Sequence, residues 1–206
     1  MRNIISIGLN RLLRTNTQSV LLFDSIAAAY DIAFMLKGQW DNCNGVVISK
    51  FDEVAVNTAA SLMQTTWCYQ GATVAVLTRL IPEELLRRYA IGERNFINAN
   101  LRCAEFSNVY LTEVNFSRAK LSLANLSGVN LSKADLTGAD IQNANLSHTN
   151  LSQSRLVRAN LADAKLTGAN LKRADLSHAN LTKADLTGAI LDEANFIGAD
   201  LSGALF

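Results

Sequence analysis

Proline, cysteine and histidine are scarce in this sequence, and each scarcity narrows what the chain can be. One proline, three cysteines and two histidines occur among 206 residues. Cys43, Cys68 and Cys103 form neither a CxxC pair nor a Cys/His spacing, so they suggest no disulfide framework and no zinc site. We therefore expect a reduced, cytoplasmic setting.

Long apolar runs and a surplus of either charge are also missing. The most apolar stretch, Val20 to Leu36, contains Asp24 and Asp31, and two midspan carboxylates would be costly in lipid, so no membrane span is expected. The N-terminus lacks a signal-peptide cleavage pattern, which argues against secretion. The formal net charge is +1, and residues 93–206 carry eleven basic and eleven acidic side chains. This balance predicts no nucleic acid partner.

The first 92 residues are expected to form a mainly α-helical N-terminal domain, 1–92, with a boundary near Gly92. Apolar residues over a wide arc predict a helix from Thr17 to Lys37. Ser49, followed by acidic residues, predicts the start of a second helix. The composition of Gly38–Gly45 predicts a loop.

The last part of this domain contains one ambiguous and one clear segment. Residues 73–80 suit a strand as well as a helix, and we favour the helix. The next segment begins with Pro82, carries Glu83 and Glu84 in its first turn and ends before Gly92. This pattern predicts a short helix that leads directly into residues 93–206.

An apolar residue at every fifth place dominates the rest of the chain. Twenty-three such centre positions run without a slip from Phe96 to Phe206, and all are Leu, Ile or Phe. Two places earlier the residue is nearly always small, and the place just before the centre is commonly Asn or Asp. Neither a helix, with a period near 3.6, nor a strand, with a period near 2, has this spacing.

The tandem motif A(D/N)LxX resembles that of the pentapeptide repeat family, in the form found in cyanobacterial members with an N-terminal helical domain. The resemblance implies a right-handed quadrilateral β-helix, a solenoid with one pentapeptide per side and four per coil. Residues 93–206 would make about 5.5 coils of it. Because a solenoid needs covers at its ends, the helical domain is expected to cap the first coil.

The charges test the coil length separately. Eight pairs of residues twenty apart have opposite charges and none has like charges, whereas offsets of 10, 15 and 25 show no such preference. Residues one coil apart would stack about 4.8 Å apart. We interpret the charges as ladders that disfavour a slipped register, each exposed pair contributing about 0–1 kcal/mol.

No pattern in the repeats predicts catalysis. His148 and His178 are thirty residues apart and fall on different sides of a twenty-residue coil, and the glycines follow the five-residue step rather than a phosphate-binding motif. No Ser/His/Asp set converges. We therefore expect a protein that is not an enzyme and has no catalytic residue, cofactor or metal site.

Departures from the repeat pattern mark a candidate interaction surface. Arg118, Arg158 and His178 carry basic or imidazole side chains and stack in one column, and Tyr110 is an aromatic residue that points outward. Leu205 and Phe206 leave the C-terminal coil apolar, and this suggests a homodimer. The competing interpretations are surface residues without a function and a terminal coil that is simply exposed.

The expected function is a noncatalytic protein–protein interaction scaffold or regulatory adaptor with an unknown protein partner. The alternative, also known in this family, is a DNA mimic that inhibits or protects a type II topoisomerase such as gyrase. Mimicry needs a strongly acidic surface that competes for a basic groove. The charges of residues 93–206 sum to zero, and this favours the scaffold.

Overall fold

The computed structural model describes residues 19–23, 26–40, 45–48, 51–65, 67–69 and 79–206. The chain forms two compact units, Met1–Thr78 and Arg79–Phe206. The boundary expected near Gly92 thus falls inside the second unit, because the helix that precedes Gly92 belongs with the repeats.

A four-stranded antiparallel sheet lies in the first unit, with the strand order β2-β3-β1-β4. Its strands are β1 (Ser19–Phe23), β2 (Gln39–Trp40), β3 (Gly45–Ile48) and β4 (Trp67–Tyr69). The central strand β1 pairs with β3 on one side and with β4 on the other, and Leu21 faces Val46 and Tyr69 in this register. Leu21 and Val46 are fully buried.

Two helices complete the described part of the first unit. Helix α1 (Ile26–Met35) packs on the sheet, and α2 (Glu53–Leu62) packs against α1. Ile32 and Val56 join the strands in one core. The cap of α2 is Asp52, whose Oδ1 accepts hydrogen bonds from the backbone N–H groups of the first helical turn, at 3.0 and 3.1 Å.

The described residues of the first unit are therefore mixed α and β, which corrects the expectation of a mainly α-helical domain. The helix predicted for Thr17–Lys37 is a strand followed by a helix, because the apolar run Ser19–Phe23 pairs with two neighbouring strands. Such a short run fits a buried strand as well as a helix. Part of the predicted loop, Gln39–Trp40, is strand β2. Asp24, Ser49 and residues 73–78 lie outside the described residues.

The second unit begins with the predicted short helix, α3 (Pro82–Ala90). Its first-turn Glu84 forms an ion pair with Arg87 at 2.9 Å, and Gly92 follows the helix with a φ of 97°. This positive φ favours glycine just past a helix end. None of α1, α2 and α3, the helices of the described residues, is long and apolar enough to cross a bilayer.

The remainder of the second unit is a continuous β-helix. Parallel bridges join residues that are one coil of twenty residues apart, from Asn95 with Asn115 to Asp185 with Leu205. Backbone hydrogen bonds link successive coils on every side, as from Leu136 N to Arg155 O at 2.7 Å. The twenty-residue register predicted from the charges is confirmed.

The core of the second unit consists of the centre residues and the small residues two places before them. The centres are buried from Phe96 to Leu186, and the Phe96 and Phe116 rings pack at a tilt of 45° with centroids 5.9 Å apart. Leu85 of α3 is also fully buried in this core, so α3 covers its first coil. In the last coil the centres Leu191, Phe196 and Leu201 are only partly buried, and Phe206 is exposed.

Candidate interaction surface

Every corner of the coil is a tight turn that contains one left-handed residue. The centre carbonyl accepts a hydrogen bond from the N–H three residues later, as from Ala139 N to Leu136 O at 3.0 Å. The residue two places after the centre has a positive φ at every corner from Asn98 to Gly203, at sixteen non-glycine residues and six glycines. Most of the non-glycine side chains there are exposed. These corners therefore carry the side chains that a partner would meet first.

Where Asn or Asp stands directly before a centre, its side chain commonly holds the turn that follows. Its Oδ1 accepts a hydrogen bond from the backbone N–H two residues on, as from Ser132 N to Asn130 at 3.0 Å and from Thr137 N to Asp135 at 2.9 Å. Such Asx turns stabilise an extended corner. These outward polar residues are thus structural elements of the coil.

Asparagine side chains also bond to one another between coils. Asn180 Nδ2 donates to Asn160 Oδ1 at 3.1 Å, and Asn160 Nδ2 donates to Asp140 Oδ1 at 3.3 Å. An amide can accept from its own turn and donate to the preceding coil, whereas an ionised carboxylate only accepts. Asn therefore fits the middle of such a row, and Asp fits its last acceptor position.

The charged pairs have the predicted register, but most of them do not touch. All eight lie within the described range 79–206, and two form ion pairs, Lys133 with Glu113 at 3.3 Å and Arg173 with Glu193 at 2.9 Å. The remaining pairs are too far apart for a direct contact. The charges therefore contribute mainly through their twenty-residue spacing, which weakly favours the observed register over a slipped one.

Hydrogen bonds within the turns control the aspartates more than the ladder charges do. The pKa of Asp185 lies below its usual value chiefly because Thr187 donates to it through its hydroxyl and its backbone N–H, with a smaller contribution from Lys165. Asp140 differs, because burial raises its pKa despite hydrogen bonds from its neighbours.

The structure brings Arg118, Arg158 and His178 into one row. All three are exposed corner residues, with φ values of 58°, 57° and 59°, and they lie one or two coils apart on the same edge of the β-helix. Within the part of the chain that the structure describes, neither arginine forms an ion pair. We call these three residues the corner row, and its role in binding stays a prediction.

The other predicted surface residues lie elsewhere. Tyr110 is 75% exposed and pairs through its backbone with Asn130, on a different side from the corner row. Leu205 and Phe206 lie in the last coil and are 59% and 67% exposed. The six predicted residues therefore do not form a single surface.

Each histidine lies beside a glycine of the next coil. A Cβ atom added to Gly168 would lie 2.7 Å from His148 Nδ1, and one added to Gly198 would lie 2.6 Å from His178 Nδ1. The glycines leave space for the imidazole rings. No group of three or more His, Cys, Asp or Glu side chains able to hold a metal occurs among the described residues.

One cysteine contradicts the sequence analysis. Cys103 is disulfide-bonded, although the odd number and irregular spacing of the cysteines suggested no disulfide. Spacing reveals a disulfide only when the pairing follows a known pattern, and here the fold decides it. Because disulfides persist in oxidising surroundings, the cysteines no longer support the cytoplasmic expectation.

A family model described as pentapeptide repeats matches residues 95–128, 116–153, 154–192 and 169–206, in eight copies. These ranges together span more than half of the chain. The chain belongs to the pentapeptide repeat family. Pentapeptide repeat proteins form right-handed quadrilateral β-helices, in agreement with the twenty-residue register of the bridges.

Several solved structures of pentapeptide repeat proteins are similar to the chain. Rfr23 from the cyanobacterium Cyanothece 51142 is 28% identical over 59% of this chain and 96% of its own, with a TM-score of 0.41. The protein alr5209 from Nostoc PCC 7120 is 31% identical over 58% of this chain and 94% of its own, with a TM-score of 0.41. Trypsin-treated QnrB1, a plasmid-mediated fluoroquinolone resistance protein, is 25% identical over 53% of this chain and 61% of its own, with a TM-score of 0.32. No curated protein sequence matches the chain.

Proposed function

We propose that this pentapeptide repeat protein is a noncatalytic scaffold that binds a protein partner through fixed rows of corner side chains. The observation that supports it is the use of the outward Asn and Asp residues within the coil itself, in Asx turns and amide rows. A surface held in this way loses little conformational entropy on binding. Such a surface suits the recognition of a protein partner better than catalysis, because catalysis needs functional groups that converge on one point.

The corner row is the proposed contact. Arg118 and Arg158 are exposed and make no ion pair within the described residues, so both guanidinium groups are available to a partner. Arginine is enriched in protein interfaces because it combines several donors with a large apolar surface. An acidic or amide-rich patch on the partner would fit this row.

Affinity capture from the native host tests the proposal. The full chain and the double variant Arg118→Ala, Arg158→Ala are immobilised side by side, with Lys183→Ala, a corner residue of another column, as the control. We expect the wild type and the control to retain the same protein and the double variant to lose it at least about tenfold. Equal retention by all three would contradict the corner row.

A gyrase supercoiling assay separates the topoisomerase alternative. We expect no inhibition at micromolar protein, because the basic and acidic residues of 93–206 balance. Inhibition that disappears when the acidic side chains of the repeats are reversed in charge would overturn the scaffold proposal.

We further propose a homodimer through the last coil. Leu205 and Phe206 are exposed together with Ile197, which is 72% exposed, and an apolar surface of this kind favours self-association. Sedimentation equilibrium of the wild type should give the dimer mass, and Leu205→Asp with Phe206→Asp should give the monomer. The matched control is Ile97→Asp, an exposed apolar residue of the first coil. A monomeric wild type contradicts the dimer.

A further inference from the structure

One outward row of the β-helix differs from the rows on its other three sides. Parallel bridges connect Tyr110 with Asn130, Asn130 with Asn150 and Asn150 with Asn170, so these residues form an unbroken row along one side. Successive members lie about 4.8 Å apart, and the row spans about 14 Å. We call these four residues the open row. Its continuity follows directly from the backbone pairing of the coils.

The asparagines of the open row do not use their side-chain donors within the protein. Each Oδ1 accepts a hydrogen bond from the backbone N–H two residues on, at 3.0 Å for Asn130 and 3.1 Å for Asn150 and Asn170. On each of the other three sides an Asn Nδ2 donates to the coil before it, as from Asn145 to Asn125 at 3.3 Å. Among the described residues, the Nδ2 groups of the open row have no acceptor. Each of them can therefore donate two hydrogen bonds to a ligand.

Tyr110 places an aromatic ring at one end of the open row. Its side chain is 75% exposed, at a place where the repeat commonly has Asn or Asp. An exposed tyrosine combines an apolar ring face with a polar hydroxyl tip. A sugar ring matches this combination, because one of its faces consists of C–H groups and its edge carries hydroxyl groups.

The charges that border the open row neutralise one another. At the corner that follows the row, Lys133 pairs with Glu113 at 3.3 Å and Arg173 pairs with Glu193 at 2.9 Å. The five residues of the corner before the row are Asn, His and three Gly. Among the described residues of this side, the first charge without an ion pair is Lys172, beside the last asparagine. A nucleic acid needs several unpaired cations, so the open row suits an uncharged ligand.

The spacing of the donors disfavours an extended peptide as the ligand. Carbonyl groups on one side of an extended strand recur every two residues, about 6.6 Å apart, whereas the donors of the open row recur about every 4.8 Å. Each sugar ring instead carries several hydroxyl groups that point in different directions, and every hydroxyl oxygen can accept a hydrogen bond. A chain of sugars that runs along the row can therefore meet a donor on each coil.

We propose that the open row binds a neutral oligosaccharide. One sugar ring lies against Tyr110, and hydroxyl oxygens of the following sugars accept hydrogen bonds from Nδ2 of Asn130 and Asn150. Ser132 and Ser152, half-buried on the same side, add hydroxyl groups that can donate or accept. This activity goes beyond the scaffold function and does not involve the corner row.

An array of immobilised neutral hexasaccharides tests the proposal with the fluorescently labelled full chain. The array carries an α-glucan, a β-glucan, a β-mannan and a β-xylan, and a proline-rich peptide is the polypeptide probe. We expect the wild type to bind at least one glycan and Tyr110→Ala to lower that signal by about three- to tenfold. Tyr110→Phe keeps the ring and should keep most of the signal. Because Tyr110 is mostly exposed, both variants should fold as the wild type does.

A second substitution separates the amide donors from the turn. Asn150→Asp keeps the Oδ1 that accepts from Ser152 N, as Asp135 does in its own turn, but it removes the Nδ2 donors. We expect the glycan signal to fall by about three- to tenfold. The matched control is Asn145→Asp, which adds the same charge on the neighbouring side and should leave the signal unchanged.

Three results would overturn the proposal. The first is a wild type that binds none of the four glycans, and the second is equal binding by the wild type, Tyr110→Ala and Asn150→Asp, which would place the glycan elsewhere. The third is binding to the peptide alone, which would identify a polypeptide as the ligand. The double variant of the corner row should bind glycan as the wild type does, so this test and the capture of a protein partner can fail independently.

Discussion

The two units build their cores in opposite ways. In the first unit the core gathers buried residues from different strands and helices, such as Leu21, Ile32 and Val46, and no contact is repeated at a fixed spacing. In the repeat unit the same contact recurs every twenty residues, and each coil touches only its neighbours. In such a repeat core, an interior residue packs between two neighbouring coils. A residue at either end has a coil on one side only, and its other side is either covered by another element or left open. The effect of a substitution should therefore depend on its place along the β-helix.

The largest effect of a substitution is expected in α3, the helix that covers the first coil. Leu85 of α3 is fully buried against the repeat core. Leu85→Asp buries an unpaired carboxyl group, and we expect it to lower the unfolding free energy of the repeat unit by about 4 kcal/mol or more. Ile91→Asp, at a position 75% exposed, should cost less than about 0.5 kcal/mol. Urea unfolding followed by circular dichroism measures both, and similar losses would mean that α3 is not a cover.

Two leucines of one core column compare the interior with the last coil. Leu161 is fully buried between two coils, whereas Leu201, two coils further on, is only partly buried. Leu161→Ala should lower the unfolding free energy by about 3 kcal/mol, and Leu201→Ala by about half as much. Equal losses in urea unfolding would show that the last coil is covered in solution.

Two corner glycines separate backbone strain from crowding. Gly168 and Gly188 have φ values of 65° and 68°, and a Cβ atom at Gly188 would meet nothing within 4 Å. Gly188→Ala should therefore cost about 1 kcal/mol from its left-handed backbone alone. Gly168→Ala should cost more, because its Cβ would press against His148. In a His148→Ala background the difference between the two should vanish, and its persistence in thermal unfolding would contradict the contact.

Two aspartates should show the smallest effects, with opposite signs. A carboxylate whose pKa is lowered by folding, as that of Asp185 is, stabilises the protein above its unfolded pKa of about 4, and the contribution is lost as the pH falls through the lower folded pKa. Asp185→Asn should thus destabilise at pH 7, with a difference that closes below pH 4. Burial raises the pKa of Asp140, so Asp140→Asn should be neutral or stabilising at pH 7. Unfolding curves across pH that showed the same sign for both would contradict these pKa directions.

Periodicity explains why the repeat unit could be predicted in detail. Leu136, Leu156 and their equivalents repeat one position of the motif twenty-three times, so the inward positions, corners and register all follow from spacing. The Asx turns and the amide rows escaped prediction because they depend on side-chain geometry rather than on spacing. A row of Asn or Asp three places before a corner residue is the signal that could have revealed them.

The first unit could not be predicted in the same way. The run Ser19–Phe23 is apolar on both faces, and only its pairing with β3 and β4, distant in sequence, makes it a strand. The disulfide of Cys103, a residue of the repeat unit, also escaped prediction, because the spacing of the three cysteines follows no known pairing pattern. For the candidate surface, spacing placed Arg118, Arg158 and His178 in one row, but it could not show which of their neighbours are already bonded.

The hydrogen bonds between coils run along the axis of the β-helix, and this direction has a mechanical consequence. A force that pulls on the last coil acts on the bonds of one coil interface at a time, as between Leu186 N and Leu205 O, rather than on many bonds in parallel. The repeat unit should therefore yield to tension by peeling, at low force. Each step should release one coil of twenty residues, about 70 Å of extended chain.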